Sequence, residues 1–401
     1  MDQLDLSYRA LTDAKITREM AFSREEYDNR VAKVRKAMAE QEIDVLLVHH
    51  LPNFCYLAGF QCPLANWYAC LILPLQGEPI AHVVDFEVTN LTVHGWEGEN
   101  IHTLDWRWQV DAPGQLVSIL RDEGYANKRI GLEFRLPGCS AHTYRALLEG
   151  LPNAEVVDAS DLVLDIRAVK SPAEQTHIRE AARLTDIGMQ AALGATAEGK
   201  RDNDIFAAAV EAMAKAGSEY LSIQPLVYVG PWTSLPHLTA KRRTLKRGET
   251  ASMELTAAYQ RYAAPLQRTA VVGEPSDLIR RLADNALARL ALLYENARPG
   301  RAASEVARAV DEKMKGKEPA GASGWWMEVY SVGIGFPPDW VDHAAFISER
   351  HDRVLEPGMV FHTPAGCQVL NQVEVTFSET ILITETGNEP LSQLPRELTV
   401  V

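Results

Sequence analysis

Between Leu226 and Gly273 the sequence holds three strand-like runs: LVYVG (226–230), ETASMELTAAYQRY (249–262) and LQRTAVVG (266–273). The last two lie close enough in sequence to pair as a hairpin. The middle run sets one carboxylate, Glu254, between Met253 and Leu255. A charged side chain in an apolar strand is costly unless a cation or a chemical task compensates for it. This stretch therefore demands a sheet and also marks a candidate site.

The rest of the 401 residues extends this pattern to two domains. Residues 1–20 read as a polar arm. FSREEYDNRVAKVRKAMAEQEID (22–44) reads as a helix, with Ser23 and Glu26 as a capping box and Val31, Val34 and Met38 at helical spacing. IDVLLVHH (43–50), ACLILPL (69–75), IAHVVDF (80–86) and RIGLEF (129–134) read as strands, and 140–150 as helical. This alternation is that of an α/β domain. In IRAVKSPAEQTHIREAARLTDIGMQAAL (166–193), Ser171 is the N-cap, Pro172 the first helical residue and Glu174 the partner of a second box. The domain boundary is therefore placed near Lys170, giving residues 1–168 and 169–401. Helices are expected over about 202–217, 275–297 and 303–316, with strands from 325 onward. They end in VTFSETILITETG (375–387), read as a strand closing in a hairpin edge.

A formal charge of -14 argues against nucleic acid or an anionic membrane as the main partner. The five cysteines, Cys55, Cys62, Cys70, Cys139 and Cys367, are scattered without a CxxC pair, so a reducing, cytoplasmic setting is expected. Neither a signal-peptide apolar region nor a membrane span is read from the sequence.

Five segments of the C-terminal half, in order, resemble those of the creatinase, prolidase and aminopeptidase P superfamily, the "pita-bread" fold. They are LPHLTAKRRTLKRGE (235–249), the hairpin from Met253 to Thr269, SVGIGF (331–336), LEPGMVFHTPAG (355–366) and FSETILITETG (377–387). The resemblance covers nearly the whole chain. It implies a creatinase-type α/β N-terminal domain followed by an α+β pita-bread catalytic domain, a homodimer, and a small-molecule substrate. It also implies five metal-ligand positions, and this chain departs from the pattern at each. They hold Glu254, Pro265, Val332, Pro364 and Ser378, the last with Glu379 beside it. No cofactor or metal is therefore expected, since Mn, Co or Zn require several N and O donors at fixed geometry.

The metal-free branch of the superfamily, creatinase and ectoine hydrolase, breaks C–N bonds at amidine-type carbons, and this sequence is similar in pattern to ectoine hydrolase. That similarity implies His237 as general acid and base, and Glu254 as nucleophile or as base toward water. Each has a plainer alternative: a structural histidine at 237, and at 254 a salt bridge to Arg261 or Arg268. The two creatinase carboxylates that hold guanidinium correspond to Gln267 and Pro364, which argues against creatine. Asp339 in FPPDW, Glu219 and Tyr220 in AGSEYLSIQP, and Trp67 and Tyr68 in PLANWYAC are expected substrate contacts, the last two from a partner subunit. A turn role for Asp339 and core roles for the other four remain open. Trp325, Trp326 and Trp340 read as a cation cage or as packing. Arg268 reads as structural, and His362 is held in reserve beside the lost Glu position. The expected activity is metal-independent hydrolysis of a cationic or zwitterionic C–N compound. The alternatives are an Xaa-Pro dipeptidase and a non-catalytic binding protein.

Overall fold

The computed structural model describes residues 6–64, 66–326 and 329–401. Two compact units emerge, Met1–Arg167 and Ala168–Val401. The first five residues of the expected arm lie outside the described residues. The arm also contains a short helix, Tyr8–Asp13, whose N-cap Ser7 accepts from the Ala10 N–H at 3.3 Å.

The first unit is built on a six-stranded mixed sheet. Its order is Ile101–Leu104, Ile80–Val84, Ala69–Pro74, Val45–Val48, Arg129–Leu132 and Glu155–Asp158. Val45, Leu47, Ile72, Ile130 and Leu132 are buried with Leu116, Leu120 and Leu147 from the helices Ala112–Asp122 and Ala141–Gly150. The strand expected over 43–50 stops at Val48, and a helix follows at Leu51–Ala58. The Glu133 carboxylate stops it there, by accepting from the N–H groups of His49 and His50 at 2.8 and 2.7 Å.

In the second unit the Glu254 strand, Thr250–Leu255, lies inside a four-stranded sheet. Leu266–Val271 and Leu226–Val229 flank it, both antiparallel, and Thr399–Val400 adds the edge. The period-2 alternation of a strand divides its side chains between two faces. Ala251, Met253 and Leu255 pack with Leu184, Met189, Ile205, Ala209 and Met213 of the helices Pro172–Ala195 and Asp202–Lys215. Truncating Met253 or Leu255 to alanine in such a core costs roughly 2–5 kcal/mol. Ser252 and Glu254 face the other way, and there the Ser252 hydroxyl meets the Thr376 hydroxyl at 2.7 Å. The first helix carries the expected capping box: Ser171 accepts from the Glu174 N–H, and Glu174 from the Ser171 N–H.

Two further sheets complete the unit. One runs Asn388–Pro390, Thr380–Ile383, Val360–His362, Val329–Phe336, Tyr262–Ala263 and Ala258–Tyr259, with Asp339–Ile347 also paired to Val329–Phe336. The other joins Ser323–Trp326, Ala365–Val369 and Val373–Phe377. The last strand expected over 375–387 is thus two strands in two sheets, broken at Ser378 and Glu379. Arg268 explains the break. Its guanidinium donates to the carbonyls of Gln267 and Ser378 and to the Glu379 carboxylate, the last at 2.6 Å. No helix among the described residues is long and apolar enough to cross a membrane.

Candidate active site

Glu254 stands opposite Gln267 on one neighbouring strand and opposite Leu226 on the other. Its side chain keeps some accessibility while Met253 and Leu255 are fully buried. Among the described residues it has neither a hydrogen-bond partner nor an ion-pair partner. The salt bridge considered for it is not formed, because both arginines are engaged elsewhere. Arg261 lies against Glu219 at 3.5 Å and donates to the Tyr220 and Gly335 carbonyls, while Arg268 pairs with Glu379. Burial alone raises the Glu254 carboxyl to about 7. Across the sheet, the Gln267 side-chain oxygen is buried without a partner among the described residues.

A chain of hydrogen bonds borders this carboxylate. Trp340 Nε1 donates to the Tyr330 hydroxyl at 2.9 Å, Tyr330 meets His362 Nδ1 at 2.7 Å, and His362 Nε2 meets the Ser378 hydroxyl at 2.6 Å. The Ser378 N–H donates to the Gln267 carbonyl, which brings the end of the chain to the cross-strand partner of Glu254. Burial lowers His362 to about 3, so the ring is neutral. Burial also raises Tyr330, and the Glu254 charge adds to that shift.

A second carboxylate, Glu374, faces the same region. Burial raises it to about 7, the Glu254 charge adds to this, and Trp325 opposes it through a 2.5 Å hydrogen bond from Nε1. Gly366 makes that contact possible, since a Cβ there would stand 2.6 Å from the Trp325 ring. The feature that singles out Glu254, a carboxylate in the middle of an apolar strand, is also present at Glu374 in VEVTF (373–377). Sequence reasoning passed it over, along with Tyr228 and Tyr330. Tyr228 is buried, and its hydroxyl is raised by burial and by both carboxylates.

His237 lies in the loop before the Glu254 strand, with a left-handed φ of 60° and an exposed side chain. Its backbone N–H donates to the Tyr228 hydroxyl at 3.0 Å, anchoring the loop to a side chain that feels Glu254.

The other expected contacts are dispersed. Glu219 accepts from the N–H groups of Gln260 and Arg261 at 2.6 and 3.1 Å, and the Arg261 guanidinium lies 3.6 Å from the Tyr220 ring centroid. Both residues thus brace the hairpin turn. Asp339 accepts from the Val341 N–H at 2.9 Å and meets His343 at 3.3 Å. Burial pushes Asp339 up, but these contacts outweigh it and hold the carboxyl below its usual value. Trp67 stacks on Trp106, and the Tyr68 hydroxyl meets His82 at 3.0 Å, both within the first unit. The three tryptophans form no cage: Trp325 serves Glu374, Trp340 serves Tyr330, and Trp326 donates to Asp311 at 2.6 Å.

The five ligand positions do not fit a two-metal centre. Pro265, Val332 and Pro364 are buried and carry no side-chain donor atom, and the Ser378 hydroxyl is engaged with His362. Glu379, the neighbour that could have replaced Ser378, is held by Arg268. Among the described residues no group of three or more His, Cys, Asp or Glu is placed to hold a metal ion.

The model of metallopeptidase family M24 matches residues 176–385, just over half of the chain. The chain belongs to metallopeptidase family M24. The creatinase/prolidase N-terminal domain matches residues 30–169 of this M24 chain, so the two-domain creatinase-type architecture is present in full. An ectoine hydrolase from Halomonas elongata is 31% identical, covering 95% of this chain and 98% of that protein. An Xaa-Pro dipeptidase from Pyrococcus horikoshii is 26% identical, covering 92% and 99%. Among solved structures, the X-Pro aminopeptidase of Thermotoga maritima has the same fold. It superposes with a TM-score of 0.79 at 20% identity, over 92% of this chain and 99% of that one. Taken together, these relatives make this M24 chain a hydrolase of carbon–nitrogen bonds.

Proposed function

We propose that this chain is a metal-independent hydrolase of a small cationic or zwitterionic compound, an ectoine-like cyclic amidine or a related amidine or amide. The observation that carries this reading is the uncompensated carboxylate of Glu254, reinforced by Glu374. Two partly or fully buried carboxylates that pair with no cation among the described residues attract a delocalised cation strongly at low local dielectric. An amidinium carbon is already electrophilic, so it needs less polarisation by a Lewis acid. In this reading Glu254 either takes the proton from the water that forms the new C–O bond, or forms a C–O bond itself as the C–N bond breaks, giving a covalent adduct that water then cleaves to free the carboxylate. His237 hands a proton to the departing nitrogen. Asp339 is retained as a substrate contact, and a homodimer brings Trp67 and Tyr68 from the second copy. The similarity to ectoine hydrolase over nearly both full lengths supports the substrate class.

The test is incubation of the full chain with EDTA and, in parallel, ectoine-type amidines, creatine and Xaa-Pro dipeptides, with products read by mass spectrometry. The expected result is EDTA-insensitive opening of an amidine ring. The similarity to the Pyrococcus dipeptidase supports a second reading as an Xaa-Pro dipeptidase. Mn-dependent cleavage of a dipeptide, with all amidines untouched, would establish that second reading instead.

A further inference from the structure

The first unit holds a cavity that the hydrolytic chemistry does not use. It encloses about 290 Å³ between the helix Arg24–Glu40, the end of the helix Leu51–Ala58 and the segment 95–100. That volume lies near the lower end for small-ligand sites, roughly 300–1,000 Å³. Tyr27 and Val31, four residues apart on one face of the first helix, line it together with Leu57, Leu71, Pro79 and Trp96. The wall depends on a close backbone approach. Gly59 has a φ of 73°, and a Cβ there would stand 2.2 Å from the His94 carbonyl oxygen and 2.9 Å from the Tyr27 hydroxyl.

Two features of the lining call for a ligand. Trp96 is 6% exposed, and its indole N–H has no acceptor among the described residues. A buried donor left in that state is costly. Around the rim stand the exposed acids Asp28, Glu78, Glu97 and Glu99, against one lining cation, Arg24. Arg24 is divided between Asp28 at 2.8 Å and Glu97 at 3.1 Å. Arg18 and Arg9 reach Glu97 and Glu99 from outside the lining, at 3.4 and 3.6 Å, through solvated pairs that contribute little. Arg35 is engaged by the carbonyls of Pro74 and Gly77, which leaves Glu78 without an ion pair among the described residues.

We propose that this cavity is a second binding site, for a small organic amine. Its ring lies against Tyr27 and Trp96, an oxygen on the ring accepts from the Trp96 N–H, and its ammonium meets the acidic rim. The carboxylates and the two aromatic faces all favour a cation at that end, and the carboxylates repel an anion. The site lies wholly within the first unit and does not depend on the amidine reading.

The probe is tyramine, compared with 4-ethylphenol and 3-(4-hydroxyphenyl)propionate, which share its hydroxyphenyl ring and differ in charge. The readout is the indole N–H spectrum of the nitrogen-15-labelled full chain, with Trp96 assigned through Trp96→Phe. Tyramine should shift the Trp96 signal saturably and bind about 3- to 10-fold more tightly than 4-ethylphenol, while the propionate leaves the signal in place. Val31→Phe, at a half-buried position, fills the cavity and should abolish the shift. Glu78→Gln combined with Glu99→Gln should narrow the gap between tyramine and 4-ethylphenol. Glu254→Gln should leave the shift as in the wild type. A Trp96 signal that tyramine does not move, or moves no more tightly than the propionate does, overturns the proposal. A shift that survives Val31→Phe or is lost in Glu254→Gln overturns it as well. The spectrum needs no turnover, so this site and the amidine reading fail separately.

Discussion

Glu254 and Gln267 face each other across an antiparallel strand pair, and neither side chain is matched to the other: among the described residues the carboxylate lacks a hydrogen bond and the amide oxygen lacks a donor. A sheet selected only for stability would have closed this gap with a cross-strand bond. The gap is what a ligand with N–H donors would fill.

Replacing Glu254 by glutamine keeps the shape and removes the charge. Turnover of the compound identified in the amidine panel should fall by at least about 10³-fold, with the circular dichroism spectrum unchanged. Activity within tenfold of wild type would remove Glu254 from the chemistry.

The pH profile follows from the same group. Glu254 acts as the ionised form, and burial raises its carboxyl to about 7, so kcat/KM should fall below about pH 7 as the carboxylate is protonated. The Glu254 charge adds to the burial that raises Glu374. Glu254→Gln should therefore bring the Glu374 titration to lower pH, read from its carboxyl carbon-13 shift. A Glu374 titration that does not move would show that the two carboxylates do not interact.

Stability should run opposite to activity. Between the unfolded value of 4.5 and the folded value of about 7, the native state binds the proton more tightly than the unfolded chain. Stability from this group is therefore fully present below pH 4.5 and is lost as pH rises through 7. Glu254→Gln should melt a few degrees above the wild type at pH 8, and the gain should vanish near pH 4.5 in a thermal scan.

Arg268 should be needed for folding rather than for turnover. It is buried, pairs with Glu379 and donates to the carbonyls on which the strand break depends. Arg268→Ala leaves a buried carboxylate alone and should cost about 3–5 kcal/mol, measured by denaturant unfolding. A double change with Glu379→Gln should recover part of that loss.

Alternation and apolar neighbours are local properties, so the sequence showed the strands at 69–75, 80–86 and 129–134 and the hairpin that carries Glu254, but not Ile101–Leu104 or Glu155–Asp158. It also placed the capping box at Ser171, since both partners lie within four residues. It did not reveal that Glu374 shares a region with Glu254, or that His362 links Tyr330 to Ser378. Those contacts join residues far apart in sequence, and no local spacing encodes them. Glu219 and Tyr220 show the converse. By position they could face a pocket or the core, and the structure engages both with Arg261 at the hairpin turn, whose demand for a counter-charge appears only once the turn is built.

The raised carboxyl at Glu254 also makes the empty site a proton store. Near pH 7 a substantial fraction of the molecules hold a proton there, and an arriving cation favours the ionised form and expels it. Ligand capture should therefore acidify the medium. The calorimetric heat of binding should then vary with the ionisation enthalpy of the buffer, and the released proton can be counted before any bond in the ligand is broken.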